Sequence, residues 1–351
     1  MMKRIVQKRR PGPRLLAATV AAVVMGVGLA ACGGDDDGGG DSGGESNKVT
    51  FALGFSPNYG QVSFFNALLA GYYEDAGLDV DYVVPDSTQT AAKLVGVGRA
   101  DAGEFFGLDP ISAVGEDIPL KVATTWAFGQ LGLMADPAGD VKSVADLEGQ
   151  QVGIFSGLPY SEACRPRLLE ANGLSPDSVD TVDVGFNSVT PLLSGKVAAA
   201  EGGDPAETVT YEIESGNAPT YFSYDEVCAP FLFGVFVNDE WASDNPETAS
   251  KFIEATLQGA KLANEDPEES HRLFTEEFPD LEQPLLQFEK FGEATCGPDA
   301  AEEGLGYNPS GDYEELIQLS VESELIPEEL SVDEVVTDEY LPEEPVTSSA
   351  C

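Results

Sequence analysis

Gly71-Tyr-Tyr-Glu-Asp-Ala-Gly-Leu-Asp-Val80 packs the end of an amphipathic helix, a glycine stop and the first residues of a strand into one short string. The same grammar returns as Ser143-Val-Ala-Asp-Leu-Glu-Gly-Gln-Gln-Val-Gly153. Working outward from the first string, residues 49–54 read as a strand, and Val62, Phe65, Leu69 and Tyr72 then recur at helical spacing. Residues 80–84 form the next strand, followed by a helix over 88–97. The apolar runs 100–106 and 120–126 are two more strands, separated by a helix near 111–115. Alternation of this kind predicts a parallel sheet with helices on both faces.

A second round starts near Lys142. Strands are expected at 151–155, 179–184 and 197–202, with helices over 160–172, 189–193 and 205–215. The run 231–237 reads as a return strand into the first sheet. Beyond Pro246 the pattern is helical: Ala249, Phe252, Ile253, Leu257 and Ala260 make one apolar stripe, and Leu316, Ile317 and Val321 another. The length suits two cores better than one. The expected fold class is α/β, with two lobes joined by crossings near residues 127 and 228 and a ligand cleft between them. One lobe is 49–127 with 228–341, and the other is 128–227. Residues 342–351 lack any pattern and are predicted to be disordered.

The N-terminus has its own logic. Lys3, Arg4, Lys8, Arg9, Arg10 and Arg14 precede an uncharged, mostly apolar stretch over 15–31. Leu29-Ala-Ala-Cys32 then brings small residues directly up to a cysteine, the pattern of a bacterial lipoprotein signal. Residues 1–31 are thus expected to be removed and Cys32 to carry a lipid anchor on the outer face of the cell membrane. Gly33-Gly-Asp-Asp-Asp-Gly-Gly-Gly-Asp-Ser-Gly-Gly44 has nothing to bury, so 32–48 reads as a flexible tether reaching roughly 20 Å. Arg9-Arg10 raises a twin-arginine export route and the Pro11-Gly12 that follows fits it poorly, so the route stays open.

Removing residues 1–31 takes away six basic and no acidic residues, moving the net charge from −44 to −50. Such a surface repels nucleic acid and anionic lipid head groups. Carboxylates scattered along the chain suit solubility at high salt, where a Debye length of about 3 Å screens self-repulsion. Calcium binding is the competing use, but no Asp-x-Asp-x-Asp-Gly loop with a closing Glu is present. One histidine and no Cys-x-x-Cys argue against a zinc site, and no cofactor is expected. After lipidation of Cys32 four cysteines remain, which an oxidising exterior can pair in three ways; Cys228 with Cys296 is favoured because both fall in the first-lobe half of the chain.

In open parallel sheets a ligand lies beyond the carboxyl ends of the strands, where helix N-termini and loop N–H groups converge. That selects Ser56, Asn58 and Tyr59 after the first strand, Glu104 and Phe105 after the third, and Trp126 at the first crossing. In the second lobe it selects Ser156, Gly157 and Tyr160 at a helix start, then Asn187, Asp204 and Glu207. Few basic residues lie near these loops, which disfavours nitrate and weakens taurine and alkanesulfonates, although a helix N-terminus can hold a sulfonate.

Several motifs carry a resemblance over about residues 49–341. Leu94-Val-Gly-Val-Gly-Arg-Ala-Asp-Ala-Gly103, Leu192-Leu-Ser-Gly-Lys-Val-Ala-Ala199, Asn245-Pro-Glu247 and Asp266-Pro-Glu-Glu269 come in the order found in solute-binding proteins of ABC importers. The chain resembles the group that binds the pyrimidine precursor of thiamine and its alkanesulfonate, taurine and nitrate cousins, all with a type II periplasmic-binding-protein fold. The resemblance implies capture of a small ligand by cleft closure and delivery to a permease and its ATPase, without chemistry. Ser56-Pro57-Asn58 resembles the family's tryptophan-proline-asparagine motif with the stacking tryptophan replaced, a loss Tyr59, Phe105, Phe106 or Trp126 could offset. Glu207 stands where relatives carry a glutamate that bonds an aminopyrimidine. Riboflavin is the alternative ligand, and a sensor or adhesion lipoprotein a distant alternative role. Eukaryotic enzymes of the family carry a cysteine-rich motif and an active-site histidine; here the single His271 sits among Glu268, Glu269 and Arg272 and reads as a solvated face, so no enzyme is expected.

Overall fold

A computed structural model describes residues 47–185 and 187–351. The signal segment, Cys32 and all but the last two tether residues lie outside the described residues. Among them run nine strands: β1 Lys48–Ala52, β2 Asp79–Val83, β3 Ala102–Phe106, β4 Leu120–Ala135, β5 Gln151–Ile154, β6 Asp180–Asp183, β7 Ala199–Asp204, β8 Thr220–Ser223 and β9 Phe231–Asn238. The opening string behaves as its grammar implies. A short helix Tyr72–Asp75 ends, Gly77 adopts a left-handed φ of 79°, and β2 follows two residues later.

The strand order is β2-β1-β3-β9-β4-β7-β5-β6, with β8 paired to β4 off that path. Two blocks, β2-β1-β3 and β7-β5-β6, are parallel, as the alternating pattern requires. Between them β9 is antiparallel to β3 and β4, and β4 is antiparallel to β7 and β8. The expectation of a wholly parallel sheet therefore fails at the two strands that pass between the halves. The partners of β4 change along its length: Leu120 to Gly129 face β9, and Gln130 to Ala135 face β7, with Gly132 to Ala135 also facing β8. The strand expected to end at 126 runs on to Ala135, through Gly129 and Gly132 rather than breaking at either. Gly132 serves close approach, since a Cβ there would lie 2.3 Å from the Phe222 carbonyl oxygen of β8.

Two large cores flank the sheet. One gathers Phe51, Phe64, Phe65, Tyr73, Trp126 and Phe252; the other gathers Phe105, Tyr160, Leu232, Phe236 and Tyr313. The helix Val62–Leu69 is largely buried because Pro246–Glu265 and Pro267–Glu277 pack on it: the Asn66 amide donates to the Gly259 carbonyl of the first at 3.0 Å and to the Ser270 hydroxyl of the second at 2.9 Å.

The C-terminal ten residues are not loose. Leu305 N–H donates to the Val346 carbonyl, Val346 is only 6% exposed, and Ser349 N–H donates to Glu265 at 2.8 Å. A disulfide from Cys296 to Cys351 fixes the end, and a second joins Cys164 to Cys228. The favoured pair Cys228–Cys296 is thus wrong: Cys228 precedes β9 and packs against the second-lobe helix Pro159–Ala171, which carries Cys164. Non-reducing peptide mapping should return the pairs 164–228 and 296–351. Truncation after Leu341 should cost about 2–4 kcal/mol in denaturant unfolding, the usual worth of one disulfide; an unchanged midpoint would refute the anchoring of the tail.

Candidate functional site

The floor of the first lobe is a buried carboxylate. Glu104 on β3 is 0% exposed, and its Oε2 accepts from Gly54 N–H at 2.7 Å and from the Gln61 amide at 3.0 Å. Gln61 is held in turn by Asn58 N–H, which donates to its Oε1 at 2.9 Å. Glu104 Oε1 is buried with no hydrogen-bond partner. Burial pushes the carboxyl up to about 7 against the pull of its two donors, and neighbouring Asp109 adds to the rise. Asp109 is itself raised by burial to about 6, although the Thr88 side chain, Phe106 N–H and the Gln89 amide donate to it.

Aromatic rings run from this floor across the lobe. Phe55 stacks on Phe106 with centroids 5.7 Å apart, Phe106 meets Phe233 edge-on at 5.3 Å, and Phe233 meets Phe291 at 5.5 Å. Tyr59 continues the line to Phe291 at 6.1 Å. Phe55, Phe106, Phe233 and Tyr59 are each partly buried, so the band keeps some exposed aromatic surface.

The second lobe supplies another carboxylate. Glu207, at the start of the helix Glu207–Ser215, accepts from Gly203 N–H at 2.7 Å and is raised to about 7 by burial. Burial, and to a lesser extent the Glu207 charge, push the Tyr59 phenol upward, so Tyr59 lies within electrostatic reach of Glu207. Nearby, the Gln287 amide donates to the Thr210 hydroxyl at 3.1 Å, bringing the helix Leu285–Ala294 against Glu207–Ser215.

The other expected site residues divide cleanly. Ser56, Ser156, Gly157, Asn187 and Asp204 are exposed at loop or strand ends. Asn58 is consumed as a cap, accepting from Gly60 N–H at 2.7 Å and donating to the Ser56 carbonyl, and Asn187 accepts from the Thr190 hydroxyl. Phe105, Trp126 and Tyr160 point into the cores, which corrects their assignment to the cleft. Phe105 packs on Phe236; Trp126 is 1% exposed beside Phe51; Tyr160 is 0% exposed and donates to the Ala229 carbonyl at 2.6 Å. The pleat explains the first miss: side chains alternate, so the ring sharing a face with Glu104 belongs to Phe106. His271 is not a solvated residue either; its Nε2 lies 2.9 Å from the Gln283 carbonyl oxygen and its ring meets Phe288.

Sequence reasoning also missed Glu201 on β7. It is 0% exposed and accepts from Phe155 N–H at 2.5 Å, from Arg165 at 2.7 Å, from the Tyr224 hydroxyl at 2.8 Å and from the Ser161 hydroxyl. Glu201 sits among apolar residues on a strand, and only the cation four residues past Ser161 hinted at a buried pair. No group of three or more His, Cys, Asp or Glu placed to hold a metal occurs among the described residues.

The raised Glu104 carries a stability consequence with a definite sign. Between its ordinary value of 4.5 and about 7 the folded chain keeps a proton that the unfolded chain has released, so stability falls as pH rises through that window. Glu104→Gln removes this dependence. Its stability relative to wild type should therefore rise by on the order of 2–3 kcal/mol from pH 5 to pH 8 in unfolding titrations. A difference independent of pH would contradict the burial of an ionisable Glu104.

Comparison with known proteins agrees with this architecture. The formylaminopyrimidine-binding protein of Halalkalibacterium halodurans is 26% identical over 68% of this chain and 73% of its own. The riboflavin-binding protein RibY of Chloroflexus aurantiacus is 25% identical over 84% and 86%. A 4-amino-5-hydroxymethyl-2-methylpyrimidine phosphate synthase of Legionella pneumophila is 24% identical over 69% and 77%. Among solved structures, the nitrate-binding protein NrtA of Synechocystis PCC 6803 superposes with a TM-score of 0.64 at 14% identity, covering 84% of this chain and 87% of its own. The aliphatic sulphonate-binding protein SsuA of Escherichia coli gives 0.60 at 15%, covering 86% and 93%. The fold is that of the type II periplasmic binding proteins. Residues 59–270, more than half of the chain, match the family described as NMT1/THI5 like, and the chain belongs to that family.

Proposed function

We propose that this protein is the solute-binding component of an ABC importer and takes a small heteroaromatic ligand bearing N–H donors, best represented by a thiamine pyrimidine precursor. The observation that carries the reading is the Glu207 carboxylate, held by Gly203 N–H at 2.7 Å at the start of its helix, together with the band of rings that runs through Tyr59; burial raises this carboxylate to about 7, and its charge reaches Tyr59. A carboxylate in such a place favours an N–H donor over an anion, because burying an anion beside it adds repulsion to desolvation. Arg165 offers no counter-charge for nitrate or sulfonate, since it is bound to Glu201. The match to the formylaminopyrimidine-binding protein supports the same class of ligand. Riboflavin is the second reading, favoured by the longer span over which the chain matches RibY.

A binding role is preferred to the synthase role of the Legionella relative. The one histidine is engaged, its Nε2 lying 2.9 Å from the Gln283 carbonyl oxygen and its ring against Phe288. The protein works by cleft closure: a ligand touching both lobes favours the closed state by its differential affinity, and a permease with its ATPase reads that state. Cys32 after Leu29-Ala-Ala31 is the lipid attachment point, and the Gly/Asp tether holds the binding unit off the outer face of the membrane.

Calorimetric titration in high salt with formylaminopyrimidine, 4-amino-5-hydroxymethyl-2-methylpyrimidine, riboflavin, taurine and nitrate tests the ligand class. Binding of a pyrimidine at about micromolar or tighter is expected, with Glu207→Gln weakening it by about 1–3 kcal/mol while leaving the fold intact. Tight binding of taurine or nitrate without the pyrimidines would overturn the ligand assignment. For the anchor, Cys32→Ala should release the protein into the medium or leave it unprocessed; an unchanged detergent-phase fraction would refute lipidation.

A further inference from the structure

The two lobes repeat one construction around a buried glutamate. In the first, Ala52 of β1 pairs with Gly103 of β3; in the second, Gly153 of β5 pairs with Ala200 of β7. Glu104 and Glu201 each stand one residue past these pairs, so they occupy equivalent places. Gly54 and Phe155, each two residues past their own paired residue, donate backbone N–H to the respective Oε2. The following helical segment adds a side-chain donor in both lobes, the Gln61 amide in one and the Ser161 hydroxyl in the other.

The other oxygen differs. Glu201 Oε1 receives Arg165, Ser161 and Tyr224, all from its own lobe. Glu104 Oε1 is equally buried and receives no donor. One turn beyond Ser161 stands Arg165, whereas one turn beyond Gln61 stands Phe65, committed to the core against Tyr82, Phe274 and Phe278. The first lobe thus has no cation in the place where the second has one. An acceptor buried without a partner costs about 1–3 kcal/mol, a cost that a donor arriving from outside the chain would relieve. The rings of Phe55 and Phe106 border this carboxylate: a Cβ on Gly54 would lie 3.0 Å from Glu104 Oε2 and 3.2 Å from the Phe106 ring.

We propose that Glu104 Oε1 is a ligand-binding atom of the first lobe, accepting an N–H or cationic nitrogen of the ligand as Glu201 Oε1 accepts Arg165. This rests on the binding role proposed above and narrows it. The ligand presents hydrogen-bond donors at two edges, one to Glu104 and one to Glu207, with its flat face on the aromatic band. Flat compounds with a single donor edge are selected against.

The test is calorimetric titration of wild type, Glu104→Gln and Glu201→Gln with 4-amino-5-hydroxymethyl-2-methylpyrimidine at pH 8 in high salt. The glutamine amide keeps the bonds to Gly54 and Gln61 through its oxygen and turns a donor to the ligand. Glu104→Gln should therefore lose at least about 10-fold in affinity while its melting temperature is kept or raised. Glu201→Gln should lower the melting temperature, because it strips Arg165 of its counter-charge. Wild-type affinity in a folded Glu104→Gln protein overturns the proposal while the binding role stands. Failure of the wild-type protein to bind any aminopyrimidine overturns the aminopyrimidine assignment on which the proposal rests, and is seen before any variant is made. A crystal structure of the wild-type complex decides the matter independently of the variants. A ligand nitrogen within hydrogen-bond distance of Oε1 supports the assignment, and a seated ligand that leaves Oε1 to water refutes it.

Discussion

The pairing of β4 with β9 is the constraint on which the rest of the architecture depends. β4 is one uninterrupted strand, yet it belongs to both halves of the sheet, bonding β9 from Leu120 to Gly129 and then β7 and β8. β9 returns the chain to the first half, antiparallel to β3 as well as to β4. The two parallel blocks, β2-β1-β3 and β7-β5-β6, are thereby held in one sheet. Gly54, Phe55 and Tyr59 come from the segment that follows β1, and Glu207 from the start of the helix that follows β7, as expected for open α/β sheets, whereas Glu104 lies within β3, Phe233 within β9 and Phe291 on the helix Leu285–Ala294.

The buried carboxylates record a trade between stability and binding. Glu201 is compensated by a cation and hydroxyls of its own lobe, so its burial is a structural device. Glu104 and Glu207 have fewer donors and are raised to about 7 by burial, which costs stability at neutral pH. Such uncompensated acids are concentrated at functional sites, because the environment that destabilises the charge also makes it a strong acceptor for a ligand. The chain affords this in a protein otherwise dominated by exposed carboxylates, with 62 acidic against 18 basic residues. High salt weakens repulsion across that surface while leaving the buried groups largely unscreened.

Much of the fold was legible because its signals are local. The Gly71–Val80 string, the two rounds of strand and helix and the return strand at 231–237 each follow from hydrophobic period and glycine position. What escaped depended on contacts distant in sequence. The expected strand stopped at 126, short of Gly129 and Gly132, against which Phe233 and Phe222 lie. Cys351 read as part of a loose tail until Cys296 and Glu265 are found beside it. In the candidate site, strand-end position picked out two carboxylates that burial raises, Glu104 and Glu207, but could not tell a partly exposed ring from one in the core. Phe105 and Phe106 differ only by the pleat, and Trp126 and Tyr160 are turned inward by packing with Phe51 and Phe231. Glu201 gave almost no signal, since nothing nearby in sequence announces that Tyr224 closes on it.

The most direct test of the account is to identify what the protein carries from its own cells. Protein isolated without denaturation, then unfolded and analysed by mass spectrometry of the released small molecules, should yield a flat nitrogen heterocycle bearing N–H donors. Recovery of a sulfonate, nitrate or another anion as the stoichiometric ligand would contradict a site built on two raised carboxylates and a band of rings.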